Sequence, residues 1–144
     1  MGSLYYFLGL EIHRDAFGIY LNQGQYILDL LKKFNMFDCA PVPTPMVTGR
    51  TFSVSNGSPM SDPSLYQQAI GSLQYVTTTR PDIAYSVNKL SQFLSCPTDV
   101  HFQGVKRIFR CLKATHHYAL HIKPFNSLRL LAFTDADWAT DEDD

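Results

Sequence analysis

Between positions 39 and 63 this chain carries Pro41, Pro43, Pro45, Gly49, Gly57, Pro59 and Pro63. Proline fixes φ and has no N–H to donate, and glycine in an element interior costs backbone entropy. No helix or strand of ordinary length can run through such a stretch, so regular structure is confined to what precedes and follows it. The stretch reads as an extended, irregular and mobile linker crossing the surface.

Before it, Tyr5–Ile12 is aromatic and apolar, as a strand should be, His13–Gly18 supplies turn residues, and Gly18–Gln23 returns as a second strand. A helix is expected from Gln25, with Ile27, Leu28, Leu31 and Phe34 at helical spacing and Lys32 and Lys33 near its C-terminus, where cations suit the dipole. After the linker, Asp62 can cap a helix whose first turn accepts Pro63, with Leu65, Ala69, Leu73 and Val76 on one face. Thr79-Arg80-Pro81-Asp82 punctuates, and a second helix follows with Ile83, Val87, Leu90 and Leu94 inward. Pro97-Thr98 punctuates again, and Thr98 can cap a third helix striped by Phe102, Val105, Phe109 and Leu112. Three amphipathic helices with short joints argue for a small bundle. Tyr118–Ile122 and Leu128–Phe133 read as two further strands before an acidic tail. The fold class is therefore α+β. A lone hairpin is marginal without more strands to pair with, and Leu128–Phe133 begins a sheet the sequence does not continue, so both ends look cut.

A hydrophobic share of 45% with 17% charged residues supports a buried core rather than wholesale disorder. No run of apolar residues is long enough to span a bilayer, and no basic stretch followed by an apolar run opens the chain, so no membrane segment or secretory signal is expected and the location reads as intracellular. Cys39, Cys96 and Cys111 are odd in number and lack paired spacing, the pattern of free thiols. The net charge of −1 hides an asymmetry, because Asp135, Asp137, Asp141, Glu142, Asp143 and Asp144 hold six of the thirteen acids. Residues 1–134 carry twelve basic against seven acidic residues, a mildly basic body that favours a polyanionic partner.

Two groups of residues invite a chemical reading. Lys106, Arg110 and Lys113 fall at helical spacing with Arg107 alongside, a row that could follow a phosphate backbone; an ordinary solvated helix face has the same spacing. Lys89 and Arg80 are candidates to extend it. Asp135-Ala136-Asp137 follows the apolar run Leu130–Phe133, and a carboxylate just past a strand can hold a divalent metal. Two-metal chemistry needs several carboxylates, and no second acidic cluster with strand or helix context accompanies it. His116, His117 and His121 with Cys111 do not match the paired spacing of structural zinc sites.

Taken in order, the motifs resemble the copia-type retrotransposon Pol polyprotein along nearly the whole chain. The likeness is carried by Tyr6-Phe7-Leu8-Gly9-Leu10-Glu11-Ile12, Gly18-Ile19-Tyr20-Leu21-Asn22-Gln23, Tyr26–Phe34 and Thr44-Pro45-Met46. It continues through Ile70–Tyr75, Thr79-Arg80-Pro81-Asp82-Ile83-Ala84-Tyr85, Leu90–Phe93, Pro97-Thr98, His101, Lys106-Arg107-Ile108, Leu112-Lys113 and Thr134-Asp135-Ala136-Asp137-Trp138-Ala139. Each is weak alone; the ordered series is specific. Cys111, Gln74, Ala114 and Thr140 depart from the family's usual tyrosine, aliphatic residue, glycine and glycine.

The resemblance implies the end of a reverse transcriptase running into the start of ribonuclease H. Residues 1–38 would be the end of the palm with a primer-grip-like hairpin and first thumb helix, 39–63 the linker, 64–123 the thumb and connection helices, and 124–144 the start of a truncated ribonuclease H. It implies nucleic-acid contacts at Phe7, Leu8, Gly9, Lys106, Arg107, Arg110 and Lys113. Asp135 would be the first ribonuclease H carboxylate, a metal ligand only if the site were completed. The family's Tyr-x-Asp-Asp strand has no counterpart in the 144 residues, so no complete catalytic set and no cofactor are expected here, although the intact family uses Mg2+. The expected partners are an RNA–DNA or DNA duplex, and the rest of the polyprotein or a complementing fragment, with no membrane and no small-molecule substrate. Three readings stay open: an inactive fragment, a retained duplex-binding module, and a subunit that completes an enzyme by pairing.

Overall fold

A computed structural model of the chain describes residues 5–49, 51–125 and 132. The second expected strand, Leu128–Phe133, and the acidic tail with Asp135 lie outside the described residues, Ala132 apart.

The chain opens in a sheet rather than a lone hairpin. Four antiparallel strands follow in sequence order, β1 (Tyr6–Phe7), β2 (Leu10–Asp15), β3 (Gly18–Asn22) and β4 (Leu120–Ile122). The run expected as one strand from Tyr5 to Ile12 is broken, because Leu8 (φ 49°) and Gly9 (φ 81°) both take positive φ. Two adjacent residues in that region make the tight turn whose twist matches antiparallel strands, and pair Phe7 with Leu10. At the next turn Asp15 Oδ1 accepts the N–H groups of Phe17 (2.7 Å) and Gly18 (3.1 Å), returning the chain as β3. Gly18 also lets the fourth strand in: a Cβ there would stand 2.3 Å from the Ile122 carbonyl oxygen. The β3–β4 register pairs Tyr20 with His121, nearly a hundred residues away in sequence.

Helix α1 (Gly24–Lys33) follows β3 directly, and α2 spans Pro63–Val76. Asp62 caps α2 as its sequence suggests, accepting the N–H groups of Ser64 (3.0 Å) and Leu65 (3.3 Å), with Pro63 in the first turn. Pro81–Ile83 forms one tight 3-10 turn leading into α3 (Ala84–Ser91). Helix α4 (Asp99–Thr115) starts at Thr98 in a capping box, with His101 in the place a Glu or Gln usually takes.

All four helices share one core. Ile27, Leu30 and Leu31 of α1 lie in the same buried cluster as Tyr66, Ala69, Ile70, Leu73 and Val76 of α2. Ile83, Val87 and Leu90 join from the turn and α3, and Val105, Ile108, Phe109 and Leu112 from α4. The sheet contributes no residue to that cluster, and is tied to the helices by polar links instead. Asn22 Nδ2 donates to the Tyr118 carbonyl (2.7 Å), the Gln25 N–H to Glu11 Oε1 (3.2 Å), and the Tyr75 hydroxyl to the Leu8 carbonyl.

The described residues of 39–62, before α2, hold no helix or strand, as their prolines dictate, but they do not simply cross the surface. Phe52 is 2% exposed, within the core, and Cys39, Met46 and Met60 pack against it. The segment is a strap, and its course along α4 shapes the site described next.

Candidate nucleic-acid interface

The strap runs antiparallel to α4. Lys113 Nζ donates to the Cys39 carbonyl (2.8 Å), Arg110 Nε to the Ala40 carbonyl (2.6 Å), and Arg107 Nη2 to Thr44 Oγ1 (2.9 Å). Further along, His101 Nε2 lies 3.1 Å from the Ser53 carbonyl, and the Asp99 N–H donates to the Ser58 carbonyl (3.0 Å). The pairing has a simple cause. Pro41, Pro43 and Pro45 have no N–H, so the strap's carbonyls outnumber its donors, while Lys and Arg side chains are donors only. The Val42 N–H, one of the few the strap possesses, goes to the Arg110 carbonyl (3.3 Å).

The row Lys106, Arg107, Arg110 and Lys113 therefore lies together on α4, as its spacing suggests, with three of the four side chains bonded to the strap. All four are half-buried. Lys106 Nζ sits 5.0 Å from the centre of the Phe102 ring. Their partners are neutral, and the ion pairs among the described residues, Lys32–Asp29 and Arg80–Asp82, involve none of the four. Arg107 Nε is buried with no hydrogen-bond partner. Among the described residues no carboxylate pairs with the row.

Arg80 does not extend the row. Its side chain is 3% exposed, facing Asp82 at 53%, with Nε and Nη2 on the two Asp82 carboxylate oxygens at 2.9 and 2.7 Å. Nη1 donates to the Thr115 carbonyl (2.9 Å) and Nη2 to Thr115 Oγ1 (2.7 Å). The guanidinium's hydrogen bonds hold the Asp82 carboxyl below the usual carboxylate range. Arg80 is thus a clamp between the turn after α2 and the end of α4. Sequence spacing offers no sign of this; the Arg-Pro-Asp order is compatible with it, because Asp two residues on can meet the same guanidinium.

Phe7, Leu8 and Gly9, the other expected contacts, form the exposed tip of the β1–β2 turn, with Phe7 at 52% and Leu8 at 72% exposure. The Tyr75 hydroxyl pins this tip to α2, and Tyr26 meets Tyr75 edge-on at 5.2 Å between ring centres. Tip and cation row are separate features of the surface. Among the described residues no three His, Cys, Asp or Glu side chains gather as a metal site, and no helix is long and apolar enough to cross a membrane. The three cysteines are free thiols, and burial pushes the Cys111 thiol pKa up, the opposite of an activated nucleophile.

His101 is the polar residue that spacing alone passed over. It is fully buried and stacked on Phe93 at 3.9 Å. Nδ1 accepts the Thr98 N–H (3.1 Å), which leaves the ring proton on Nε2 to donate to Ser53. One neutral tautomer thus serves the helix cap and the strap together.

No known family profile matches the chain, and no solved structure matches it. Curated proteins do. The chain is 48% identical over 142 residues to the retrovirus-related Pol polyprotein from transposon RE1 of Arabidopsis thaliana, covering 99% of this chain and 10% of that protein. It is 45% identical, with the same coverage, to the Pol polyprotein from transposon RE2 of the same plant. To the Pol polyprotein from transposon TNT 1-94 of Nicotiana tabacum it is 34% identical, over 99% of this chain and 11% of that protein. The chain spans about a tenth of the length of these relatives. Identity at this level over 99% of the chain agrees with the ordered motifs. The chain belongs to the copia-type retrotransposon Pol polyproteins, as a stretch of one such polyprotein.

Proposed function

We propose that this stretch is a non-catalytic part of the reverse transcriptase that grips duplex nucleic acid through its phosphate backbone, without reading sequence. The observation that carries the reading is the row Lys106, Arg107, Arg110 and Lys113, gathered on one helix and paired with neutral groups rather than carboxylates. Cations fixed along a helix by neutral partners suit a phosphate backbone, where affinity comes from counterion release. The exposed tip at Phe7-Leu8-Gly9 supplies a second contact to the same duplex. The chain's residues supply no Tyr-x-Asp-Asp sequence, so the reading assigns binding and no phosphodiester chemistry to this stretch. Asp135 keeps its expected place as a ribonuclease H carboxylate within a completed polyprotein, where Mg2+ would be the metal.

Fluorescence anisotropy with a short RNA–DNA hybrid tests this. Four phosphate contacts predict a slope of roughly −3 to −4 in log affinity against log salt, at about 0.9 per contact for a duplex. Changing Lys106, Arg110 and Lys113 together to Gln should flatten that slope toward −1. Salt-independent binding, or none, refutes the reading. Nucleotide incorporation by the pure chain on a template–primer with magnesium would refute its non-catalytic half.

A second surface is suggested by the sheet. Tyr5 and Tyr6, at the start of β1, are each more than half exposed. Clustered aromatic exposure marks an interaction surface, and the far greater length of the RE1 and RE2 polyproteins points to another part of the polyprotein as its partner.

A further inference from the structure

We propose that the strap segment 40–45 is a displaceable placeholder for phosphate on the α4 cation row, so that duplex binding releases it. The proposal rests on the duplex-binding reading of that row and adds its regulation. Three observations lead to it. First, the strap satisfies Lys113, Arg110 and Arg107 with two carbonyls and a hydroxyl, spaced along the row. Each is a neutral acceptor, whereas a phosphate oxygen brings a full negative charge to the same cationic donor and adds Coulomb attraction that a carbonyl or hydroxyl lacks. The strap therefore holds the donors in position without neutralising them, and loses in direct competition with a phosphate.

Second, the two halves of the strap are held differently. The second half is anchored inside the protein by Phe52 at 2% exposure, by His101 at the Ser53 carbonyl, and by the Met60 N–H on the Pro97 carbonyl (3.0 Å). Between Cys39 and Met46, which pack against the core, the first half leans on the row: Ala40, Pro41, Pro43 and Thr44 are exposed, and its backbone N–H bond to α4 runs from Val42 to Arg110 at 3.3 Å. Release of 40–45 leaves Cys39, Met46 and Phe52 in place as anchors. Third, Pro41, Pro43 and Pro45 have no N–H to give, so few backbone bonds to α4 must break when the first half lifts.

The test uses the full chain, with hydrogen exchange followed by mass spectrometry with and without a short RNA–DNA hybrid, and the Thr44→Val variant. Thr44 is exposed, so losing its hydroxyl frees Arg107 without opening the core. The placeholder mechanism predicts that the duplex speeds exchange at Val42, with Asn56 and Met60 unchanged. It also predicts that Thr44→Val binds the duplex about three- to tenfold more tightly, less than or equal to one decade of affinity. If the wild-type chain binds but exchange at Val42 slows or stays the same, the strap belongs to the bound surface and the placeholder mechanism is overturned, while the binding reading stands. If neither form binds, the binding reading fails and takes the mechanism with it.

Discussion

Replacing Arg80 by Met separates structural from ligand-binding cations, because Arg80 belongs by sequence to the same basic set as the α4 row. Methionine keeps much of the buried stem and removes the guanidinium. Lost with it are two hydrogen bonds to Thr115 and a two-point pair with Asp82. A hydrogen bond involving a charged group contributes about 1.5–3 kcal/mol, but two of its losses are softened. Asp82 is 53% exposed and can rehydrate, so its pair counts for about 1 kcal/mol, as a surface pair does. The Thr115 carbonyl still accepts the Tyr118 N–H (3.0 Å), and Thr115 Oγ1 still donates to the Cys111 carbonyl (2.9 Å), so neither atom is orphaned. The net expectation is a loss of about 3 kcal/mol, at the low end of the roughly 3–5 kcal/mol that breaking a fully buried pair costs. For a chain of this size that lowers Tm by roughly 6–12 °C. Urea and thermal unfolding followed by circular dichroism measure it, and anisotropy under folding conditions measures duplex affinity alongside. A loss below about 1 kcal/mol, or a fall in duplex affinity in the folded variant matching that of the α4 changes, would refute the clamp.

The same clamp makes a prediction in pH. Arg80 holds the Asp82 pKa below its unfolded value, so the pair's contribution is complete above the ordinary aspartate range and is lost as pH falls through the folded value. Acid titration of stability should therefore be shallower in Arg80→Met than in the wild type below about pH 4; parallel curves would count against the pairing. At Gly104 a Cβ would meet Leu90 Cδ2 and Phe52 Cζ at 3.0 Å, so Gly104→Val should cost about 2–3 kcal/mol by overpacking in urea unfolding. A loss under about 0.5 kcal/mol there would mean that Phe52 is not seated against α4. His101→Phe preserves a ring against Phe93 but removes the bonds to Thr98 and Ser53, and should cost about 2 kcal/mol. It should also speed exchange around Asn56, and unchanged exchange there would sink the dual role. Tyr66→Phe is the mild contrast: its hydroxyl donates to the Leu90 carbonyl (2.6 Å), which the Phe93 N–H also serves, so the loss should stay near 1 kcal/mol.

Local rules carried far in this chain wherever the deciding neighbours lie within one or two turns. Asp62-Pro63 and Thr98 start α2 and α4 because a cap is a contact between residues three apart. The apolar stripes of the helices face inward because a period of 3.6 places them on one side, although Leu28, Phe34, Leu65, Leu94 and Phe102 are only half-buried. The stripes were narrower than the true buried faces, since Leu30, Tyr66, Ile70 and Ile108 are also in the core. A helix touched on several sides buries more than one stripe. The turn at Leu8-Gly9 escaped because leucine rarely takes positive φ, and an aromatic run signals strand throughout.

By itself, then, the sequence determined the mixed α+β class, the helix starts, the irregularity of residues 39–63 and the place of the cation row on one helix. Its ordered motifs also pointed to the Pol polyprotein family that the relatives establish. Only the tertiary structure decided what those pieces meet. Pairing β4 with β3 joins residues about a hundred apart, and the strap reaches α4 across some seventy. Arg80 became a buried clamp and His101 a shared cap, while Lys113, Arg110 and Arg107 found partners in a proline-rich backbone. Spacing along a chain can say which side of a helix a cation occupies. It cannot say which distant carbonyl will be waiting there, because that depends on how the whole chain satisfies its hydrogen bonds at once.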